Sequence, residues 1–257
     1  MSYKRSKYFT TQNKKKIKYL LIKKNSQITI VFFHGFMSDM AGAKPTAIQH
    51  LCEKIKINFL KFEYSGHGKS SGKFTDGNIS QWTIEAKQLI KSKIPKKQKL
   101  IFIGSSMGSW IALNLFHFFK KQISGFIGIS SAPEFLEKII WKKFTKRMKK
   151  NIMDKKIYHL EYGGFKYPIT KQLIYDGKKN KIVNKKINFK IPIVLFHGSK
   201  DEVVPVKFSK NIFKNFTKFK KKLIVIKNGN HSLSRKIDLK KICYELHIML
   251  KNISLSR

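Results

Sequence analysis

Leu100-Ile101-Phe102-Ile103-Gly104-Ser105-Ser106-Met107-Gly108 joins an apolar run to a serine flanked by glycines. Four consecutive apolar residues read as a strand. They run directly into Gly-x-Ser-x-Gly at 104–108, and the apolar run 110–119 (WIALNLFHFF) behind it reads as a helix. A Gly-x-Ser-x-Gly between strand and helix describes a nucleophile elbow, a sharp turn that strains the central serine and projects its hydroxyl. The flanking glycines let the backbone and the neighbouring helix come close. Ser106 is the candidate nucleophile.

Outward from the elbow, apolar β runs alternate with helical stretches. Residues 17–22 and 28–33, joined by 23–27, read as a hairpin. The second run is almost continuously apolar, as a strand buried on both faces should be. Residues 41–55 read as a helix, 57–62 as a strand, and 82–92 as a helix that Pro95 ends. Further strands fall at 126–129, 192–196 and 223–226, and 237–251 reads as a closing amphipathic helix. Strands alternating with helices predict an α/β architecture, a mostly parallel sheet covered on both faces. Between Ala132 and Ile191 there is no convincing strand, only a basic helical piece at 135–148, Tyr162-Gly163-Gly164-Phe165, and a helical stretch at 171–174. Residues 134–190 are therefore expected to form a small cap inserted within one domain spanning 1–257.

A serine hydroxyl is a weak nucleophile at neutral pH and needs a base. With an elbow of this kind the chain order is Ser, then acid, then His. His231 and His247 are the candidates that follow an acid placed after the strand 192–196. His247 lies inside the closing helix. His231 lies in Asn228-Gly229-Asn230-His231-Ser232, a loop after the last strand that can reach the serine, so it is the expected base. The acid falls in His197-Gly198-Ser199-Lys200-Asp201-Glu202-Val203-Val204-Pro205, with Asp201 preferred and Glu202 its competitor. Asp201 would orient the imidazole and stabilise its cation. The tetrahedral intermediate needs backbone N–H donors, expected from Met107 and from Phe36 in His34-Gly35-Phe36. His34 precedes the serine and is assigned a structural role. This chemistry calls for no cofactor and no metal.

The charge is unusual: 55 Lys+Arg face 14 Asp+Glu, a formal +41, and only Arg5, Arg147, Arg235 and Arg257 are arginines. Such an excess suggests an anionic partner: a nucleic acid, an anionic membrane surface or an acidic substrate. The shortage of arginine, which carries most specific phosphate and base recognition, favours a compositional bias toward Lys, Ile, Asn and Phe instead. Cys52 and Cys243, far apart in the chain, form no disulfide framework and suit a reducing compartment. No run of 18 apolar residues predicts a membrane span. Residues 1–12 are basic and hydroxyl-rich, as in a transit peptide, but are expected to lead straight into the first strand. The expected location is cytoplasmic, or the mitochondrial matrix for a eukaryotic chain. No residue pattern specifies an oligomeric state.

These residues together resemble the α/β-hydrolase superfamily, and within it the palmitoyl-protein thioesterase/acyl-glucuronide esterase branch and its bacterial relatives. The marks are FHGFMSDMAGAK at 33–44, FEYSGHGKS at 62–70, GSSMGSW at 104–110, HGSKDEVVP at 197–205 and the loop bearing His231. The resemblance implies a serine hydrolase that cleaves ester or thioester bonds of a small-molecule or acyl-protein substrate through an acyl-enzyme. It carries Ser106, Asp201 and His231 over as the triad, and Phe36 and Met107 as oxyanion donors. The chain departs from the pattern at Glu63, usually Asp, at His34, Pro in some relatives, and at Ser109, commonly Gly. Phe135, Trp141, Phe144, Tyr162 and Phe165 would either shelter an acyl chain or serve as ordinary packing. A serine aminopeptidase is the alternative enzyme, with Glu134, Glu137, Asp154, Glu161 or Asp176 holding a substrate ammonium. A hydrolase scaffold without catalysis, bound to anionic partners through its lysines, is the alternative from another class.

Overall fold

A computed structural model describes residues 5–162, 165–183, 185–216 and 220–255. Tyr162 and Phe165, read above as cap aromatics, lie with Gly163 and Gly164 outside the described side chains, as do Met1–Lys4 and Arg257.

An eight-stranded sheet forms the centre. Its strands are β1 (Lys7–Thr10), β2 (Lys16–Ile22), β3 (Ile28–Phe33), β4 (Asn58–Phe62), β5 (Lys99–Ser105), β6 (Ile123–Ile129), β9 (Ile193–Gly198) and β10 (Lys221–Ile226). They lie in the order β1-β2-β4-β3-β5-β6-β9-β10. From β4 to β10 every neighbouring pair is parallel; β1 and β2 are antiparallel additions at one edge. β3 is buried at all six positions because both of its faces are covered. Its side chains alternate accordingly: Ile28, Ile30 and Phe32 join one core, Val31 and Phe33 the other. The first core packs under α1 (Ala43–Lys54) and α7 (Lys236–Leu255) through Ile48, Cys52, Leu246 and Met249. The second packs under α2 (Ile79–Lys93), α3 (Met107–Asn114) and α6 (Lys207–Asn215) through Trp82, Trp110 and Phe208. Each fully buried Phe or Ile contributes about 1.5–3 kcal/mol of apolar transfer free energy.

Three sequence expectations are corrected. Residues 17–22 and 28–33 are strands but not a hairpin, because β4 lies between β2 and β3 and pairs with both. The helix expected over 110–119 ends at Asn114 and gives way to a tighter turn at Phe116–Phe119. The stretch expected to lack strands contains a hairpin, β7 (Ile157–Tyr162) with β8 (Phe165–Thr170), in an antiparallel ladder. Around that hairpin stand a π-helical segment Leu136–Trp141, α4 (Lys146–Lys155) and α5 (Lys171–Lys179).

Glu134 closes this excursion from β6. It is buried, with φ of 59°, and its Oε1 accepts from Ile182 N at 2.7 Å and Val183 N at 2.6 Å. Its Oε2 meets Lys138 Nζ at 3.0 Å. One carboxylate thereby fastens the departing chain to the returning chain. Burial alone would raise its pKa, but these donors bring it below the ordinary value. Trp110 Nε1 adds a second tie by donating to Asn180 O at 2.8 Å.

Candidate active site

The turn after β5 places Ser106 at φ 53° and ψ −119°, a conformation L-residues rarely adopt. Close approaches on either side force it. A Cβ on Gly104 would stand 2.4 Å from Ser109 Cα, and one on Gly108 only 2.1 Å from Phe33 O. The start of α3 is thus pressed onto the end of β3. Ser109, where a glycine is common, fits because its hydroxyl turns back onto Gly104 O at 2.6 Å and accepts from Ser131 Oγ at 2.9 Å.

His231 stands on the loop after β10, whose backbone lies against the end of β9. Lys200 N donates to Gly229 O at 2.8 Å, Ser199 N to Ile226 O at 2.9 Å, and a Cβ on Gly198 would be 2.2 Å from Gly229 O. Two loops distant in sequence are so held in one register, and Asp201, His231 and Ser106 come into line. His231 Nδ1 is 2.8 Å from Asp201 Oδ2, and His231 Nε2 is 3.1 Å from Ser106 Oγ. An Nδ1–H facing the carboxylate leaves Nε2 free to accept the serine proton. The Asp201 side chain is 1% exposed. Burial by itself would raise its pKa, yet hydrogen bonds from His197 and His231 and from Val204 N hold it far below the ordinary carboxylate value. Glu202 is exposed and faces the cavity rather than His231. His247 is in mid-α7, on the side of the other core.

Met107 opens α3, so its N–H has no preceding turn to bond to. The loop carrying Phe36 lies beside it: a Cβ on Gly35 would be 3.4 Å from Ser106 Cβ, and Phe36 lines the same cavity as Ser106. His34 is buried, bonds Gly35 O through Nδ1 at 2.8 Å, and accepts from Tyr64 N at 3.4 Å. Burial, then the nearby His67 charge, push its pKa well below the histidine norm. Glu63 is also buried, and its Oε2 accepts from Lys69 N at 2.6 Å within the glycine-rich loop.

The cavity above Ser106 and His231 measures about 600 Å³. Its far wall comes from the excursion between β6 and β9: Phe135, Ile139, Ile140, Phe144, Met148, Leu160 and Tyr167. Phe135 and Phe144 therefore face the cavity. Trp141 does not; the ammonium groups of Lys149 and Lys178 lie 5.5 and 5.1 Å from its ring. None of the five cap carboxylates considered for an aminopeptidase lines the cavity; the carboxylates that do are Asp39 and Glu202. Lys44 also lines it and donates to Ser232 O, bracing the residue after His231. Burial lowers the Lys44 pKa to about 8, against the opposing charge of Asp238.

Sequence reasoning did not find two buried side chains behind Asp201, His197 and Ser209. His197 stood within the quoted acid motif; nothing local marked Ser209.

The sequence profile of the family described as serine aminopeptidase S33 matches residues 24–168, more than half of the chain. Mitochondrial palmitoyl-protein thioesterase ABHD10 from Bos taurus is 23% identical over 236 residues, covering 88% of this chain and 74% of its own. The crystal structure of a putative hydrolase from Agrobacterium vitis S4 superposes with a TM-score of 0.89 at 28% identity, covering 95% of this chain and 98% of that one. Alpha/beta hydrolase domain-containing protein 10 from mouse gives a TM-score of 0.88 at 22% identity, covering 97% and 99%. With its mostly parallel eight-stranded sheet flanked by helices, the chain is an α/β hydrolase and belongs to the serine aminopeptidase S33 family.

Proposed function

We propose that the chain is a serine hydrolase that cleaves esters or thioesters of apolar acyl groups through an acyl-enzyme. The observation that carries this reading is the line Asp201 Oδ2–His231 Nδ1 (2.8 Å) and His231 Nε2–Ser106 Oγ (3.1 Å) at the floor of an apolar cavity. Ser106 Oγ attacks the substrate carbonyl carbon while His231 Nε2 takes its proton. Asp201 holds the imidazole in its Nδ1–H tautomer and stabilises the imidazolium. The Met107 and Phe36 N–H groups receive the oxyanion. Collapse of the tetrahedral adduct expels the thiolate or alkoxide, which takes the proton back from His231. Water, activated by the same imidazole, then attacks the acyl-Ser106 ester and releases the acid. The acyl chain lies along Phe135, Phe144 and Leu160. The cow relative named a palmitoyl-protein thioesterase supports an S-acyl substrate.

A second reading has one observation in its favour. Asp39 and Glu202 line the cavity and could hold an ammonium, in keeping with the aminopeptidase description of the family. Turnover of acyl thioesters, p-nitrophenyl esters and aminoacyl anilides separates the two. The proposal predicts cleavage of the first two, faster with an apolar acyl chain; preferential cleavage of anilides with a free amino group contradicts it. As to location, the cow relative is named mitochondrial, and the free thiols Cys52 and Cys243 fit a reducing compartment, matrix or cytosol.

A further inference from the structure

The Asp201 carboxylate is held at four points. Oδ1 accepts from Val203 N at 3.0 Å and Val204 N at 2.8 Å. Oδ2 accepts from His231 Nδ1 at 2.8 Å and also from His197 Nε2, 3.1 Å away. His197 has no exposed surface. Its Nε2 faces a second acceptor, Val204 O at 2.8 Å, so that nitrogen must carry a hydrogen. Its Nδ1 is 2.8 Å from the hydroxyl of Ser209, a fully buried side chain on α6. A serine O–H donated to Nδ1 fixes the tautomer that points N–H at Asp201. The reverse tautomer would set an imidazole lone pair against a carboxylate.

We infer that His197, locked by Ser209, is a positioning residue for catalysis: it holds Asp201 in the orientation and charge distribution that set the base strength of His231. The inference rests on the proposed roles of Ser106, His231 and Asp201. A hydrogen bond to Oδ2 draws off part of the negative charge that His231 would otherwise feel. Asp201 then still orients the imidazole, but stabilises its cation less than a bare carboxylate would. Among the described residues, the titratable groups hydrogen-bonded to this carboxylate are His197 on β9 and His231 on the loop after β10. From α6 the contact to the pair is the neutral Ser209 hydroxyl. The sign follows. Loss of the His197 donor leaves more negative charge facing His231, so His231 protonates at higher pH and the acid limb of the rate moves up.

The test uses His197→Leu, His197→Gln and Ser209→Ala in the full chain. The His231 imidazole is titrated by NMR with 13Cε1-histidine, its signal identified by its loss in His231→Gln. In parallel, kcat and KM are measured on p-nitrophenyl butyrate. In His197→Leu the His231 titration and the acid limb should both move to higher pH. Its kcat should fall roughly tenfold or more, the ordinary worth of a hydrogen bond to a charged group, with KM little changed. Ser209→Ala should move both in the same direction by less. His197→Gln, which can still present an N–H to Asp201, should restore most of the wild-type behaviour. A titration that stays at the wild-type position in folded His197→Leu and Ser209→Ala overturns the inference, even if kcat falls, because a merely structural histidine would behave that way. If His197→Leu does not fold, Ser209→Ala decides by the same criterion. The underlying reading fails separately, when wild-type Ser106 does not react with a fluorophosphonate, whatever the titrations show.

Discussion

Trp110 Nε1 donates to the carbonyl oxygen of Asn180 at 2.8 Å, joining the helix that starts at the elbow to the C-terminal end of α5. Asn180 in turn donates to Ser80 Oγ at 2.8 Å, and Asp176 Oδ2 accepts from Ser80 N at 2.8 Å, so α5 is tied to both α2 and α3. Trp110→Phe keeps most of the buried bulk and removes this bond. The expected cost is about 1 kcal/mol of stability, plus the desolvation of any carbonyl left unpaired. Because α5 packs through Gly177 against Leu136, in the segment whose Ile139 and Ile140 line the cavity, KM for a long-chain ester should rise more than KM for an acetyl ester. Equal effects on both substrates would separate the indole from the cavity.

Glu134 fastens the other end of the same segment. Glu134→Ala leaves the N–H groups of Ile182 and Val183 without their acceptor, a loss of roughly 1–3 kcal/mol. The folded pKa of Glu134 is depressed. Its contribution is therefore fully present above the unfolded carboxyl pKa, about 4.3, and is lost as pH falls through the lower folded value. Melting curves of wild type and Glu134→Ala should differ most at pH 6–7 and converge under acid. A difference independent of pH would mean that the carboxylate charge plays no part.

The φ of 53° at Ser106 carries a conformational cost of about 1–3 kcal/mol. Ser106→Gly relieves it and returns about 0.5–1 kcal/mol through the added freedom of the unfolded chain. The glycine variant should therefore melt a few degrees higher than wild type while losing acyl transfer. A lower melting temperature would show that the serine side chain contributes more to the fold than its backbone strain removes.

A formal charge of +41 repels itself. Added salt screens this over about 8–10 Å at 0.1–0.15 M, so the melting temperature should rise between 20 and 300 mM NaCl. Any retention on nucleic acid should fall steeply over the same range. Retention that ignores salt would count against binding driven by the lysines.

The elbow, the acid loop and the histidine loop were legible because each is a local pattern at the end of a strand. Gly104, Ser106 and Gly108 announce one backbone turn, and Asp201 and His231 follow β9 and β10 directly. The pairing of β2 with β4 was not legible, because strand order depends on contacts between segments about forty residues apart, and adjacency in sequence favoured a hairpin. The β7–β8 hairpin escaped notice for another reason. His159, Glu161 and Lys166 interrupt its apolar pattern, and Pro168 argues against a strand unless that strand lies at an edge, where β8 in fact sits. β1 has four residues, too few for a period to register. The His197–Ser209 contact depends on α6 returning over β9, a tertiary fact with no local trace.

An activated Ser106 hydroxyl should react with a fluorophosphonate, as an ordinary serine does not. Wild type and Ser106→Ala, each checked for folding by circular dichroism, are incubated with the probe and the modified residue is mapped by mass spectrometry. The expected result is one phosphonylated site, Ser106, in wild type and none in the variant. A well-folded wild type that takes no label, or equal labelling of both proteins, would contradict it.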